Sequence, residues 1–172
     1  MSRQYIFPAI LAIVLSLALS CSKAGEAPKP ADTNAAPHFT VDSVDGKKID
    51  LSAFRGKVVI LDFFATWCEP CRISAPELES VYERYKDKGV AVIALAADEG
   101  PDAAAGVREF MKELRLSYPV GVGGEGVMKQ YGAYSLPTTV IIDRQGKIHS
   151  KHLGITADYA KRLAAEIEPL LK

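Results

Sequence analysis

Val58-Val59-Ile60-Leu61-Asp62-Phe63-Phe64-Ala65 leads directly into Thr66-Trp67-Cys68-Glu69-Pro70-Cys71. The first eight residues are almost all apolar, the pattern of a strand buried on both faces of a sheet. That strand delivers two cysteines, two residues apart, to the expected first turn of a helix. Unpaired N–H groups and the positive end of the helix dipole favour a thiolate at Cys68. Cys71 sits about one turn further in, within reach of a mixed disulfide formed by Cys68. Residues of this type at this spacing point to disulfide exchange with other proteins.

Two plainer readings of the pair fit less well. A CxxC is half of a zinc site, but a structural site needs four ligands, and the only other cysteine is Cys21. His38, His149 and His152 form no recognisable ligand cluster. The odd spacing of His149 and His152, on or just after a strand, directs them to opposite faces. No metal is therefore expected. A purely structural disulfide would close so short a loop that it adds little stability.

Outward from the motif, the chain reads as alternating elements. Phe39–Val44 and Lys48–Leu51 flank a turn at Asp45-Gly46 and predict a hairpin. Leu78, Val81, Tyr82 and Tyr85 recur at helical spacing before Gly89, a helix stop. Val90–Ala96 predicts a second buried strand. Val107, Phe110, Met111 and Leu114 mark a helix opened by Pro101-Asp102, and Val127 with Tyr131 a short one ending at Gly132. Thr139–Asp143 and Lys147–His149 flank a turn and predict a second hairpin. Thr156 is expected to cap a last helix carrying Tyr159, Leu163 and Ile167. The order implies an α/β fold, a mixed sheet with helices on both faces. The apolar stripes are core, and no cofactor is expected.

The ends carry other information. Met1–Tyr5 holds one positive charge, Arg3, and the apolar run Ile6–Leu19 is too short for an ordinary spanning helix. Residues 1–20 therefore read as a secretory signal peptide. Leu17-Ala18-Leu19-Ser20-Cys21 resembles a bacterial lipobox, with Ala18 where leucine is usual. Cys21 is expected to be acylated and to anchor the chain to a membrane. Ser22 lacks the aspartate that retains many lipoproteins in the inner membrane, which favours the outer one. Residues 22–36 hold no large apolar side chain and read as a tether. One domain is expected from Pro37 to Lys172. Lys and Arg total 21, as do Asp and Glu, and this balance argues against nucleic acid as a partner.

Strand, CxxC helix and final hairpin in this order resemble the thioredoxin superfamily, and more narrowly its TlpA/ResA-like periplasmic oxidoreductases. The most specific residues are Phe64–Cys71 followed by Pro76, together with Tyr134-Ser135-Leu136-Pro137-Thr138-Thr139. The resemblance implies a thioredoxin fold with an N-terminal hairpin and an extra central helix around Asp102–Leu114. It implies that Cys68 is the exposed attacking thiolate and Cys71 the buried resolving thiol. Trp67, Glu69, Pro70 and Leu136 are expected to meet the substrate, with Trp67 offering it an apolar surface. Pro137 is expected in the cis form, exposing a backbone edge to which a substrate segment can pair. Asp62 matches a buried acid that takes the proton of Cys71. With Val92 where thioredoxins often have a lysine, Asp62 is expected to lack a close cation and to have a raised pKa. Ser74 replaces a glutamate that ResA-like chains often carry, leaving the acid–base work to Asp62. Glu69 opposes thiolate formation, so only a moderately lowered Cys68 pKa is expected, well above the extreme of about 3.5.

The resemblance further implies a membrane-anchored periplasmic reductase of client proteins, with cytochrome c maturation as the first role to name. Its electron donor would be a membrane thiol reductant of the DsbD/CcdA kind, and the protein a monomer. Three other functions stay open at this point: a thiol oxidase or isomerase, a peroxiredoxin-like antioxidant, and a copper-site assembly protein. Ala65 stands where a peroxidatic site has threonine or serine, and the CxxC is tighter than copper-assembly spacings.

Overall fold

The computed structural model describes residues 34–172. The expected signal peptide, Cys21 and nearly all of the tether lie outside the described residues. Strands β1 (Thr40–Asp42) and β2 (Lys48–Asp50) form an antiparallel hairpin. There follow β3 (Val58–Phe64), α1 (Glu69–Tyr85), β4 (Val90–Ala96), α2 (Ala103–Leu114), β5 (Val120–Gly121), α3 (Glu125–Gln130), β6 (Thr138–Ile142), β7 (Ile148–Leu153) and α4 (Tyr159–Ile167). The five-stranded sheet runs β5-β4-β3-β6-β7, parallel from β5 to β3 and antiparallel from β3 to β7. This is the thioredoxin-like arrangement, with the hairpin added at its start.

Every residue of β3 and β4 is buried, because each strand is covered above and below. Alternation divides the side chains. Ile60 and Phe64 join Leu78 and Val81 of α1, Phe110 of α2, and Leu163 and Ile167 of α4. Val59, Leu61 and Phe63 face Val127 and Met128 of α3, together with Phe39 and Ile49. Each fully buried Leu, Ile or Phe among these contributes about 1.5–3 kcal/mol relative to exposure. The second layer is thus built largely from the N-terminal segment, including the 3-10 turn Leu51–Phe54, together with the short helix α3.

Four local features differ from the sequence reading. First, β5 was not foreseen, and the β1–β2 hairpin closes its edge: Val44 N–H donates to the Val120 carbonyl (3.0 Å) and Val122 N–H to the Asp42 carbonyl (3.0 Å). Gly121 permits this approach, since a Cβ there would lie 2.6 Å from Val41 Cγ2. Second, backbone contacts to the main sheet begin before Pro37. Ala36 N–H donates to the Gly146 carbonyl (2.9 Å), and Ile148 N–H donates to the Asn34 carbonyl (2.8 Å).

Third, Thr156 does not cap α4. Its hydroxyl accepts from Arg162 (2.5 Å), and the Ala160 N–H is met by Glu77 of α1 (2.9 Å). A carboxylate from a neighbouring helix therefore satisfies an otherwise orphan donor. Fourth, His149 and His152 do not diverge. A register irregularity between Ile141 and Ile142 leaves His149 without a partner residue on β6, which breaks the two-residue alternation. Both imidazoles reach Glu166, at 3.9 Å from His149 and 2.7 Å from His152.

Candidate active site

Cys68 is the N-cap of α1, with extended backbone, and Pro70 lies in the first turn. The Cys68 carbonyl accepts from the N–H groups of Cys71 (3.0 Å) and Arg72 (3.2 Å), while Cys68 N–H donates to Ala65 (3.1 Å). Proline at this position removes a donor that the helix start could not pair anyway. The two sulfurs are bonded at 2.06 Å.

Cys71 is buried, as expected, but Cys68 is not the open residue anticipated. It is 6% exposed, against 1% for Cys71. Bonded to its partner and tucked between the strand end and the helix, it shows only an edge. That edge faces an open groove of about 740 Å³. Besides Cys68, it is lined by Trp67 and Pro70, by Tyr134, Ser135 and Leu136, and by Ala97, Glu99, Glu125 and Met128. Trp67 (73% exposed) and Tyr134 (83%) present large aromatic surfaces to solvent there. Such surface beside a disulfide suits contact with an apolar segment. Glu69 is not among the lining residues.

The Leu136–Pro137 peptide is cis. Around it, the Thr138 hydroxyl donates to the Ser135 carbonyl (2.6 Å), and Gly154 N–H donates to the Pro137 carbonyl (2.8 Å). These bonds tie the loop to the start of β6 and the end of β7. On the other side of the disulfide, Asp98 holds the turn before Cys68. Its carboxylate accepts from the Thr66 N–H (3.0 Å) and the Thr66 hydroxyl. Arg72, one residue past the CxxC, pairs with Glu113 and lies over the Phe110 ring (5.4 Å). That hydrogen bond from Arg72 to Glu113 raises the guanidinium pKa further.

Asp62 lies on the sheet face whose layer contains Cys71. It is buried, its carboxylate accepts from the Thr139 hydroxyl (2.8 Å), and no ion pair reaches it among the described residues. Desolvation raises its pKa from 3.8 to about 7, although the Thr139 bond pulls the other way. Such a group is half ionised near neutrality and can accept a proton there. Ser74, at the position where an acid was the alternative, is buried and donates to the Cys71 carbonyl (3.2 Å). It supplies no base.

Sequence reasoning missed Asp98, Glu99, Glu125, Thr139 and Tyr159 as neighbours of this site. Asp98 and Glu99 had one available signal: they directly follow a parallel strand, and open α/β sheets bind ligands beyond the carboxyl ends of their strands. Glu99 carries a raised pKa because it shares a hydrogen bond with the Glu125 carboxylate. Among the described residues, no group of three His, Cys, Asp or Glu side chains is arranged to hold a metal ion.

A CxxC disulfide at a helix start, beside a cis-proline loop on this sheet, defines the class of thioredoxin-like proteins. Within it, a model of the Redoxin family matches residues 31–165, and the chain belongs to that family. It is 46% identical over 115 residues to a thiol-disulfide oxidoreductase ResA from Bacillus thuringiensis subsp. konkukian, covering 66% of this chain and 64% of that protein. A ResA of Bacillus anthracis is 41% identical over 120 residues, covering 69% of this chain and 68% of the relative. A crystal structure of a candidate thiol:disulfide interchange protein DsbE from Chlorobium tepidum superposes with a TM-score of 0.74 at 31% identity. That match covers 81% of this chain and 96% of the other. The chain thus spans just under two thirds of the first of these relatives, with its redox motif inside the shared part.

Proposed function

We propose that this protein is an extracytoplasmic thiol–disulfide oxidoreductase that reduces disulfides in client proteins. The observation that carries the reading is the Cys68–Cys71 disulfide at the start of α1, edge-on to an apolar groove and backed by the buried, uncharged-tending Asp62. In the reduced protein, the Cys68 thiolate attacks one sulfur of a client disulfide and releases the other as a thiolate. Cys71 then gives its proton to the Asp62 carboxylate and attacks Cys68 Sγ. This re-forms the Cys68–Cys71 bond and frees the second client sulfur, which regains a proton. The client gains two electrons, and the protein must be recharged by an external dithiol.

A membrane thiol reductant of the DsbD/CcdA kind fits that recharging role. Haem-attachment cysteines in cytochrome c maturation are the client thiols this reading puts first. Support for both is the resemblance of Phe64–Cys71 and the Pro137 loop to ResA-like chains. The sequence of residues 1–21 supports export and acylation at Cys21, with an outer-membrane destination resting on Ser22 alone. The reading is tested by equilibrating the Cys68–Cys71 couple against glutathione or dithiothreitol. A potential near about −270 mV supports a reductase; one near about −120 mV makes the protein an oxidant and overturns the proposal. A Cys71→Ala variant is expected to accumulate mixed disulfides with its clients, because resolution then lacks its nucleophile.

A further inference from the structure

Asp62 is the near end of a buried chain of hydroxyl groups. The Thr139 hydroxyl donates to Asp62 Oδ1 at 2.8 Å, and the Tyr159 hydroxyl lies 2.7 Å from the same Thr139 oxygen. Thr139 has a single hydroxyl proton. With that proton committed to the carboxylate, the Thr139–Tyr159 contact requires Tyr159 to be the donor. Both donors then point toward Asp62. Thr139 is fully buried and Tyr159 4% exposed, so water does not compete freely for either bond. The chain joins three elements: β3 holds the acid, β6 the threonine and α4 the tyrosine.

We propose that Thr139 and Tyr159 are positioning residues for disulfide resolution, forming an ordered donor chain that holds the Asp62 carboxylate ready to accept the Cys71 proton. The inference rests on the reading of Asp62 as that base. Its chemistry is the opposition of two effects. Burial favours the neutral acid, and hydrogen bonds donated to the carboxylate favour the charged base. Tyr159 acts through Thr139: by donating to the threonine oxygen, it leaves the threonine proton only one direction to take. Donation also polarises the threonine O–H and strengthens its bond to the carboxylate.

The other groups around Asp62 work against ionisation or are neutral. Opposite it on β4 stands Ala94, which carries no charge. Tyr118, before β5, is buried and feels the Asp62 charge, as does Tyr159. Both phenols are held protonated, chiefly by burial. From α1, Glu77 adds negative charge near Tyr159 and Glu79 near Tyr118. Cys71 is in the disulfide. The hydroxyl chain is therefore what favours the base form.

The test is the titration of Asp62, followed by carboxyl-carbon NMR on the oxidised protein, with the pH profile of the resolving step as a second readout. In Thr139→Val the Asp62 midpoint is expected to rise by about one pH unit, the scale of one lost hydrogen bond to a carboxylate. Tyr159→Phe keeps the ring and is expected to shift it the same way by a smaller amount. Thr139→Ser restores the hydroxyl and is expected to titrate like the parent. An unmoved midpoint in Thr139→Val overturns the proposal. If that variant does not fold, an unmoved midpoint in Tyr159→Phe overturns the chain in its place. Failure of the underlying reading looks different: Asp62→Asn would then resolve mixed disulfides at the parent rate, whatever the titrations show.

Discussion

Replacing Asp62 with asparagine is expected to shift the stability of the oxidised protein progressively in the variant's favour as pH rises. Burial lifts the folded-state pKa of Asp62 from 3.8 to about 7. Below about pH 4 the group is protonated in both folded and unfolded chains, and burial adds no charge penalty. Between about 4 and 7 the folded protein retains a proton that the unfolded chain has released, so stability falls with each unit of pH. Above about 7 the full penalty is present. A shift of roughly three units at 1.36 kcal/mol each sets a ceiling of about 4 kcal/mol. Asparagine is nearly isosteric, carries no charge at any pH, and its amide oxygen can still accept from Thr139. Its NH2 group adds a buried donor whose cost of about 1–3 kcal/mol does not vary with pH.

The informative quantity is therefore how the difference between the two proteins changes with pH. From pH 5 to pH 8.5 it should move by about 3 kcal/mol in favour of Asp62→Asn. Urea unfolding at both pH values reads this directly, as a relative change in midpoint on the order of 1–2 M. Neither cysteine titrates while the disulfide is intact, and the remaining groups are common to both proteins. A midpoint difference that stays constant across this range refutes the raised pKa and, with it, the use of Asp62 as a base near neutrality.

Glu77→Ala removes the carboxylate that meets the Ala160 N–H, and is expected to cost about 1 kcal/mol in urea unfolding, whereas Thr156→Ala costs much less. Gly121→Ala places a methyl group 2.6 Å from Val41 and 2.9 Å from Leu95, and is expected to destabilise by about 1–3 kcal/mol, seen as a lowered thermal midpoint. Asp98→Ala frees the Thr66 N–H and hydroxyl and is expected to cost about 1–2 kcal/mol; an unchanged midpoint would show that the turn before Cys68 holds itself.

What the sequence made legible was what is written locally. β3 announces itself because burial on both faces demands an unbroken apolar run, and the CxxC follows it within four residues. α1 and α2 carry their own periodicity. β5 does not, since two residues cannot show an alternation, and its two edges pair with β4 and with a hairpin far upstream in the chain. The irregularity that turns His149 toward Glu166 is a mismatch between two strands, and neither strand records it alone. Thr156 looked like a cap because threonine before a helix often is one. The group that took that place, Glu77, lies on another helix and is invisible to any local rule. The exposure of Cys68 was misjudged for a related reason, since the motif indicates reactivity but not how closely the oxidised pair packs.

The hydroxyl chain belongs to the same class of hidden feature, and it bears on how this site is built. Thr139 reads as one more β-branched residue of a buried strand, and Tyr159 as one more core aromatic of an amphipathic helix. Only their meeting at Asp62 gives either a polar task. An acid carried on α1, at the position of Ser74, would stand on the same helix as the two cysteines. Carried on β3 instead, it is answered by β6 and α4, two elements whose side chains at this point are tied to the sheet. Tyr159 also lines a cavity of about 200 Å³ bordered by Gly154, Thr156 and Arg162, and no residue lines both this cavity and the groove at Cys68. The arrangement thus separates two demands on one domain. The groove needs exposed, adaptable apolar surface around a sulfur, while the proposed base needs a buried site with fixed donors. Placing the acid on the central strand lets each be met by different elements, with the Cys68–Cys71 disulfide between the groove and the buried layer.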